Sequence, residues 1–139
     1  MIDFNYELDF TLDNEALYAS WLSNVIASEN KKLGEINYIF CDDDYLLAIN
    51  KEYLNHDTLT DIISFDYSVG NELNGDIFIS IERVKDNAND FNVPFSDELL
   101  RVMVHGVLHY CGYKDKSEDD ELLMRQKEDE KIKLFHVEQ

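Results

Sequence analysis

His105 and His109 stand four residues apart in the run His105-Gly-Val-Leu-His109-Tyr-Cys-Gly-Tyr-Lys-Asp115, and they are the side chains here with the type and spacing to do chemistry. On a helix this spacing puts both imidazoles on one face about one turn apart, close enough to share a metal ion. Gly112 is the residue type that most readily takes a left-handed conformation at a helix end, so the chain can turn back after His109 and bring Asp115 within reach. Two neutral imidazoles and a carboxylate leave a fourth position for water, as a catalytic zinc site does and a closed structural site does not. Zinc is the expected ion, and other divalent transition metals can use the same donors. A second reading of Asp115 stands beside this one: it caps the next helix, two residues before Ser117, while Glu118 or a water completes the coordination.

The element that must carry the histidines is a helix. Leu100, Met103, Val104, Val107, Leu108 and Cys111 form a 3.6-period apolar stripe, and His105 and His109 fall on the opposite side of it. Ser96, Asp97 and Glu98 supply a cap and an acidic first turn. In a metalloprotease motif of the His-Glu-x-x-His kind the second position carries the general base. Here it is Gly106, which argues against peptide hydrolysis by that route. Glycine there leaves room beside the ion for a bulky group such as a phosphodiester, or lets the helix pack closely on a sheet, and both readings stay open.

Upstream, Ile2, Phe4, Tyr6, Leu8 and Phe10 alternate with polar residues, as a strand with one buried face does. Asp13 is the expected cap of a helix through Leu17, Tyr18, Trp21, Leu22, Val25 and Ile26, ending near Lys31 and closed by Gly34. Ile36, Tyr38 and Phe40 predict a second strand, and Asp42 or Asp43 caps a helix reaching Leu54. Ile62 to Tyr67 predicts a third strand and Ile77 to Ile79 a fourth, with Asn74-Gly75 as the turn between them. Ile81, Val84, Ala88 and Phe91 mark a helix before Pro94, and Ser117 opens a last helix whose apolar stripe is weak and whose residues Glu128 to Lys133 read as a solvated face. The sum is an α/β (α+β) single domain over residues 1–139, a mixed sheet of about four strands with about five helices.

Thirty acidic and twelve basic residues give a net charge of −18, which opposes nonspecific attraction to phosphate backbones and anionic membranes. Only Lys31, Lys32 and Lys51 precede Arg83, so a positive rim can form near the histidines alone. Cys41 and Cys111 are too few and too far apart in sequence for a disulfide framework, and no apolar run reaches the ~20 residues of a membrane span. A cytoplasmic location is expected. His56 lies in a polar loop and reads as solvent-exposed, and His136 reads as part of a frayed terminus.

The run His-Gly-x-Leu-His-x-x-Gly-Tyr resembles the signature of the YbeY family of metal-dependent endoribonucleases, the ribosomal RNA maturation factors. Asn50 to Phe65 is similar to that family's Asn-x-x-Tyr-Arg … Thr-Asp-Val-Leu-Ser-Phe segment, and Gly75 to Ser80 to its Gly-Asp-Ile-x-Ile-Ser strand. The resemblance covers most of residues 36–125. It implies metal-dependent cleavage of ribosomal RNA in maturation of the 16S 3′ end, with ribosomal RNA and ribosomal proteins as partners and His105, His109 and Asp115 as ligands by position. The chain departs from the pattern twice, with Asp115 where the family has a third histidine and Leu54 where it commonly has an arginine. Arg83, directly after the third motif, is the candidate for the displaced phosphate contact. Its alternative is a surface arginine paired with an acidic neighbour. Thr60, Asp61 and Ser64 belong to the second motif, and a Thr-Asp before a strand reads most simply as a turn or cap. The competing functions are a noncatalytic ribosome-associated factor with a structural metal, and a metallohydrolase of another substrate class. A non-haem iron oxygenase shares the ligand chemistry, but its usual barrel does not suit a helix-borne pair.

Overall fold

The computed structural model describes residues 1–138. The chain order is β1 (Ile2–Tyr6), α1 (Glu15–Ser28), β2 (Lys32–Cys41), α2 (Asp43–Leu54), β3 (Ile62–Asp66), β4 (Glu72–Ser80), α3 (Ile81–Phe91), α4 (Phe95–Tyr110) and α5 (Glu118–Glu138). The four strands form one sheet in the order β1-β2-β4-β3, in which β1 and β4 run parallel to β2 and β3 pairs antiparallel with β4. The mixed sheet and five helices match the expectation from the sequence.

Alternation decides which face each side chain serves. Ile36, Tyr38 and Phe40 of β2 register beside Gly75, Ile77 and Ile79 of β4, and this face carries the main core together with Trp21, Leu22, Val25 and Ile26 of α1 and the stripe of α4. Cys41, Leu46 and Ile63 form a smaller cluster under α2, joined by Ile49, Phe65 and Phe78 from the opposite face. The histidine helix therefore lies directly on the larger core. Tyr38 ties it down by donating from its hydroxyl to the Met103 carbonyl at 2.7 Å.

Several boundaries differ from those expected. β1 stops at Tyr6, although Leu8 and Phe10 still pack on the core. Asn14, not Asp13, caps α1, its side-chain oxygen accepting from the Leu17 N–H at 3.3 Å. Gly34 lies inside β2 rather than closing α1, which ends at Ser28 before Asn30 at φ 60°. Asn74-Gly75 is also inside a strand, and the turn falls at Gly70. The register between β2 and β4 shifts near Leu33 and Ile36, and the Asn74 side chain fills that irregularity by accepting from the Glu35 N–H at 2.7 Å. Pro94, not Ser96, precedes the first turn of α4, which leaves Glu98 as a buried residue instead of a solvated end charge.

The largest correction concerns α5. Within residues 128–133, Asp129, Glu130 and Lys133 are solvated as expected, but Glu128 and Lys131 are buried with Met124 and Phe135, and the Trp21 indole donates to the Lys131 carbonyl at 2.7 Å. Lys131 Nζ meets Glu29, Glu130 and the Ser28 hydroxyl, each at 2.8 Å. Partners on α1 and within α5 satisfy the charge, so the polar stripe can lie inward. His136 sits within α5 with its ring against Phe135, not in a frayed tail. No helix among the described residues is long and apolar enough to cross a membrane.

Candidate metal centre

The last turn of α4 builds the centre. Gly112 adopts φ +106°, its N–H donates to the His109 carbonyl at 3.0 Å, and the Tyr113 N–H reaches back to the Leu108 carbonyl at 3.1 Å. This is a Schellman closure, which needs a residue without a Cβ penalty at the reversing position. It carries residues 113–115 back along the helix. The Tyr113 carbonyl then meets His109 Nδ1 at 2.9 Å, and Asp115 Oδ2 comes within 3.2 Å of His109 Nε2 and 3.3 Å of His105 Nε2.

The two imidazoles stand edge to face at 89°, with their Nε2 atoms 2.9 Å apart. Their other nitrogens decide what those atoms can be. His105 Nδ1 lies 2.7 Å from Glu128 Oε2, and His109 Nδ1 faces a backbone carbonyl, so both partners are acceptors and both Nδ1 atoms act as donors. In the neutral rings, both Nε2 atoms are then lone pairs, directed together with the Asp115 carboxylate at one point. Three electron-rich atoms that close repel unless a cation lies between them. Their separations are near the ~3.3 Å edge of a tetrahedron with ligands at the usual zinc distances. The donor set therefore fits a divalent ion, and this His–His–Asp group could hold one.

The supporting shell comes mostly from α5. Glu128, with a side chain only 6% exposed, accepts from Arg101 Nη1 at 2.8 Å through its second oxygen, while Arg101 also grips Asp129 at 2.7 Å. Burial lowers the tendency of His105 to hold a proton, but the Glu128 hydrogen bond and the charges of Glu128, Asp115 and Asp61 outweigh it and raise its pKa. The carboxyl of Asp61 is pushed up by burial, an effect that the nearby His105 offsets only in part. On the other side, Tyr113 donates from its hydroxyl to Glu29 at 2.7 Å, which pins the residue whose carbonyl orients His109.

A cavity of about 320 Å³ opens beside His105 and Asp115, with Asp61, Glu98, Arg101, Arg125 and Glu128 in its walls. Asp61 is therefore more than the turn residue that its motif suggested, although its backbone carbonyl does accept from the Ser80 N–H at 3.0 Å. Gly106 answers the question its sequence position left open. A Cβ there would come 3.0 Å from Ile77 Cδ1 and 3.2 Å from Ile62 Cδ1, so glycine serves close packing on the sheet. Ser117, not Asp115, caps α5 by accepting from the Asp120 N–H at 3.0 Å. Arg83 is not brought to the cluster. It lies on α3 and pairs with Asp43 and Asp86, each at 2.9 Å, the surface pairing weighed as its alternative. Leu54 and the exposed His56 line a different cavity beside Thr60 and Ser64.

The residues that sequence reasoning missed, Glu128, Glu98 and Arg125, belong to polar stretches of α4 and α5 that carry no motif. Glu128 could have been found from its place in a helix whose apolar residues are too few to be its only buried side. For Glu98 and Arg125 no comparable signal exists.

The sequence profile of the family described as Endoribonuclease YbeY matches residues 4–136. A protein named Endoribonuclease YbeY from Flavobacterium psychrophilum is 73% identical over 139 residues, covering 100% of this chain and 99% of the relative. One of the same name from Flavobacterium johnsoniae is 72% identical with both chains fully covered, and one from Christiangramia forsetii is 60% identical over 99% of this chain and 96% of its own. The solution structure of a Thermotoga maritima protein superposes with a TM-score of 0.69 at 24% identity, covering 99% of this chain and 91% of that one, a likeness of fold.

Proposed function

Because the chain belongs to the YbeY family of endoribonucleases, we propose that it cleaves ribosomal RNA at a single zinc ion held by His105 Nε2, His109 Nε2 and Asp115 Oδ2. RNA is its substrate class and phosphodiester hydrolysis its reaction. Maturation of the 16S 3′ end, in the cytoplasm and beside ribosomal proteins, is the role that the family resemblance implies. The observation that carries the metal assignment is the convergence of two Nε2 atoms and a carboxylate oxygen within 3.3 Å of one another.

Each residue has a separate task. Glu128 and the Tyr113 carbonyl hold the two Nδ1 hydrogens, which fixes both tautomers and ring orientations before substrate arrives. Asp115, with a side chain 41% exposed, lies at the open side where an RNA strand can approach. A bound divalent ion supplies Lewis-acid polarisation of the phosphodiester and activation of a water. Asp115 in place of an imidazole leaves the site with one less positive charge, which moderates that activation and favours somewhat harder ions than a three-histidine site does.

The test is single-turnover cleavage of a 3′-extended small-subunit ribosomal RNA by stripped protein with zinc restored, alongside elemental analysis of the untreated protein. His105→Ala and His109→Ala should each lose both metal and cleavage. Asp115→Ala should lose affinity by a large factor, and Asp115→His should keep the metal and begin to act at lower pH. Full metal occupancy in the histidine variants sinks the ligand assignment. Metal binding without cleavage of any RNA favours the noncatalytic ribosome-associated factor, a reading that the net charge of −18 independently suits.

A further inference from the structure

We propose that the cavity walled by Glu98 and Arg125 receives a guanine base of the RNA strand, next to the phosphodiester presented to His105, His109 and Asp115. The inference rests on the reading of that cluster as a cleavage centre, and it adds a base preference to it.

Glu98 is the anchoring observation. It is 6% exposed, yet its carboxylate makes no hydrogen bond or ion pair with any described residue. Every fully enclosed side-chain polar atom among the described residues has a partner. The carboxylate therefore opens onto the space that it lines with Phe91, Arg101 and Arg125, which comprises two cavities, and the one of about 320 Å³ is the one that also reaches His105 and Asp115. Burial, with the charges of Asp61 and Glu128 adding to it, pushes its pKa up, and the charges of Arg101 and Arg125 offset the shift only in part. A buried carboxylate in this condition is costly, and a ligand that brings N–H groups relieves the cost.

Arg125 is the second group whose side chain has no hydrogen-bond or ion-pair partner among the described residues. Arg101, in the same wall, is fully engaged by Glu128 and Asp129. Arg125 is exposed and its guanidinium, though its charge acts on Glu98, makes no hydrogen bond or ion pair with a described residue, so its donors are available to a ligand in the same space. The same lining includes Ile62, Val102 and Phe91, the last 58% exposed. An aromatic face, a carboxylate and a fork of donors around about 320 Å³ suit a planar base better than a phosphate, which the acidic wall repels.

The donor pattern selects the base. Guanine alone has two adjacent N–H donors, N1–H and N2–H, to match both oxygens of one carboxylate, and its O6 and N7 accept from arginine. Adenine and cytosine would set a ring-nitrogen lone pair against the second carboxylate oxygen. Uracil would flank its single N–H with carbonyls.

The experiment titrates zinc-reconstituted full-length protein with the 3′-monophosphates of guanosine, adenosine, cytidine and uridine. Guanosine monophosphate should bind tighter than the others by roughly tenfold or more. Glu98→Gln should erase that preference, because its amide N–H₂ faces a donor edge, and Arg125→Ala should weaken guanosine monophosphate selectively. Both variants should keep their zinc content and unfolding temperature. Equal binding of the four nucleotides, absence of binding, or an undiminished preference in Glu98→Gln overturns the proposal. A parallel assay places each base beside the scissile bond of a short single-stranded RNA. Cleavage indifferent to that base overturns the pocket and leaves the nuclease reading intact. Guanine-selective binding without cleavage supports the pocket and overturns the cleavage centre.

Discussion

Along α4, the groups aimed at the metal lie opposite an apolar stripe that runs from Leu100 to Leu108 and is buried throughout. Along α5, which forms the facing wall, the residues that matter are themselves charged, and Glu128 and Lys131 go inside while Leu122 and Leu123 remain 61% and 45% exposed. One helix is placed by the hydrophobic effect, and its polar face is what is left over for chemistry. The other is placed in large part by charges whose partners lie on α1 and α4, namely Glu29 for Lys131 and Arg101 with His105 for Glu128. The histidines thus stand on an element fixed by apolar burial in the core, while the groups that orient them come from an element held largely by charge pairs with its neighbours.

The sharpest way to break this comparison is to remove one group from each wall. His105→Ala removes a ligand and should abolish metal binding. Glu128→Ala keeps all three candidate ligands but removes the acceptor for His105 Nδ1, along with one of the two partners of Arg101, and should reduce metal affinity by about 10- to 100-fold, as loss of such a hydrogen-bond partner generally does. Glu128→Gln should fall between that variant and the native protein, since its amide oxygen can still accept. Competition against a zinc chelator measures all three. Equal affinity in Glu128→Ala and native protein would show that α5 does not tune the centre.

A smaller effect belongs to α5 alone. Lys131→Met leaves Glu29, 11% exposed, without its nearest cation, and breaking a buried pair from one side costs about 3 kcal/mol. Glu29 retains Tyr113 and Lys127, which should hold the loss at or below that figure. Changing both partners, as Glu29→Leu with Lys131→Met, should recover much of the stability in a denaturant titration. No recovery would mean that the pair does more than neutralise itself.

These couplings also mark how far the sequence could be read. The strands, the α4 stripe, the Gly112 turn and the convergence of His105, His109 and Asp115 are legible, because each follows from a local pattern of period or of conformational preference. Glu128 reads as solvated, since the sparse apolar residues of α5 indicate that some polar side chains turn inward but not which ones. Asn74-Gly75 carried a strong turn signal, yet the pairing of β4 with β2 overrode it. Glu98 was read as an end charge because Ser96 looked like the cap. With Pro94 taking that position, the helix begins earlier and turns Glu98 inward. Each of these errors comes from tertiary context prevailing over a local rule.

The least conspicuous consequence couples the two walls through pH. In the stripped protein, His105 has a folded pKa above its ordinary value of about 6.5, where burial is outweighed by the hydrogen bond and charge of Glu128. A group whose pKa is raised on folding contributes stability that is fully present below its unfolded value and is lost as pH rises through the folded one. The raised pKa values of Asp61 and Glu98 act in the same direction at lower pH. The carboxylate of Asp43 is held low by its hydrogen bond to Arg83, so its contribution disappears only in acid, below the window of interest. Stripped protein should therefore unfold more easily at pH 8 than at pH 6. Zinc-loaded protein needs neutral imidazoles and should show the opposite trend over the same range. In Glu128→Gln the stripped slope should flatten, because the charge across from His105 is gone while α4 is unchanged. Thermal unfolding at the two pH values, with and without zinc, measures all of this. A stripped native protein that gains stability toward pH 8 would mean that the α5 carboxylate does not hold a proton on the α4 histidine, and the two walls would then be independent.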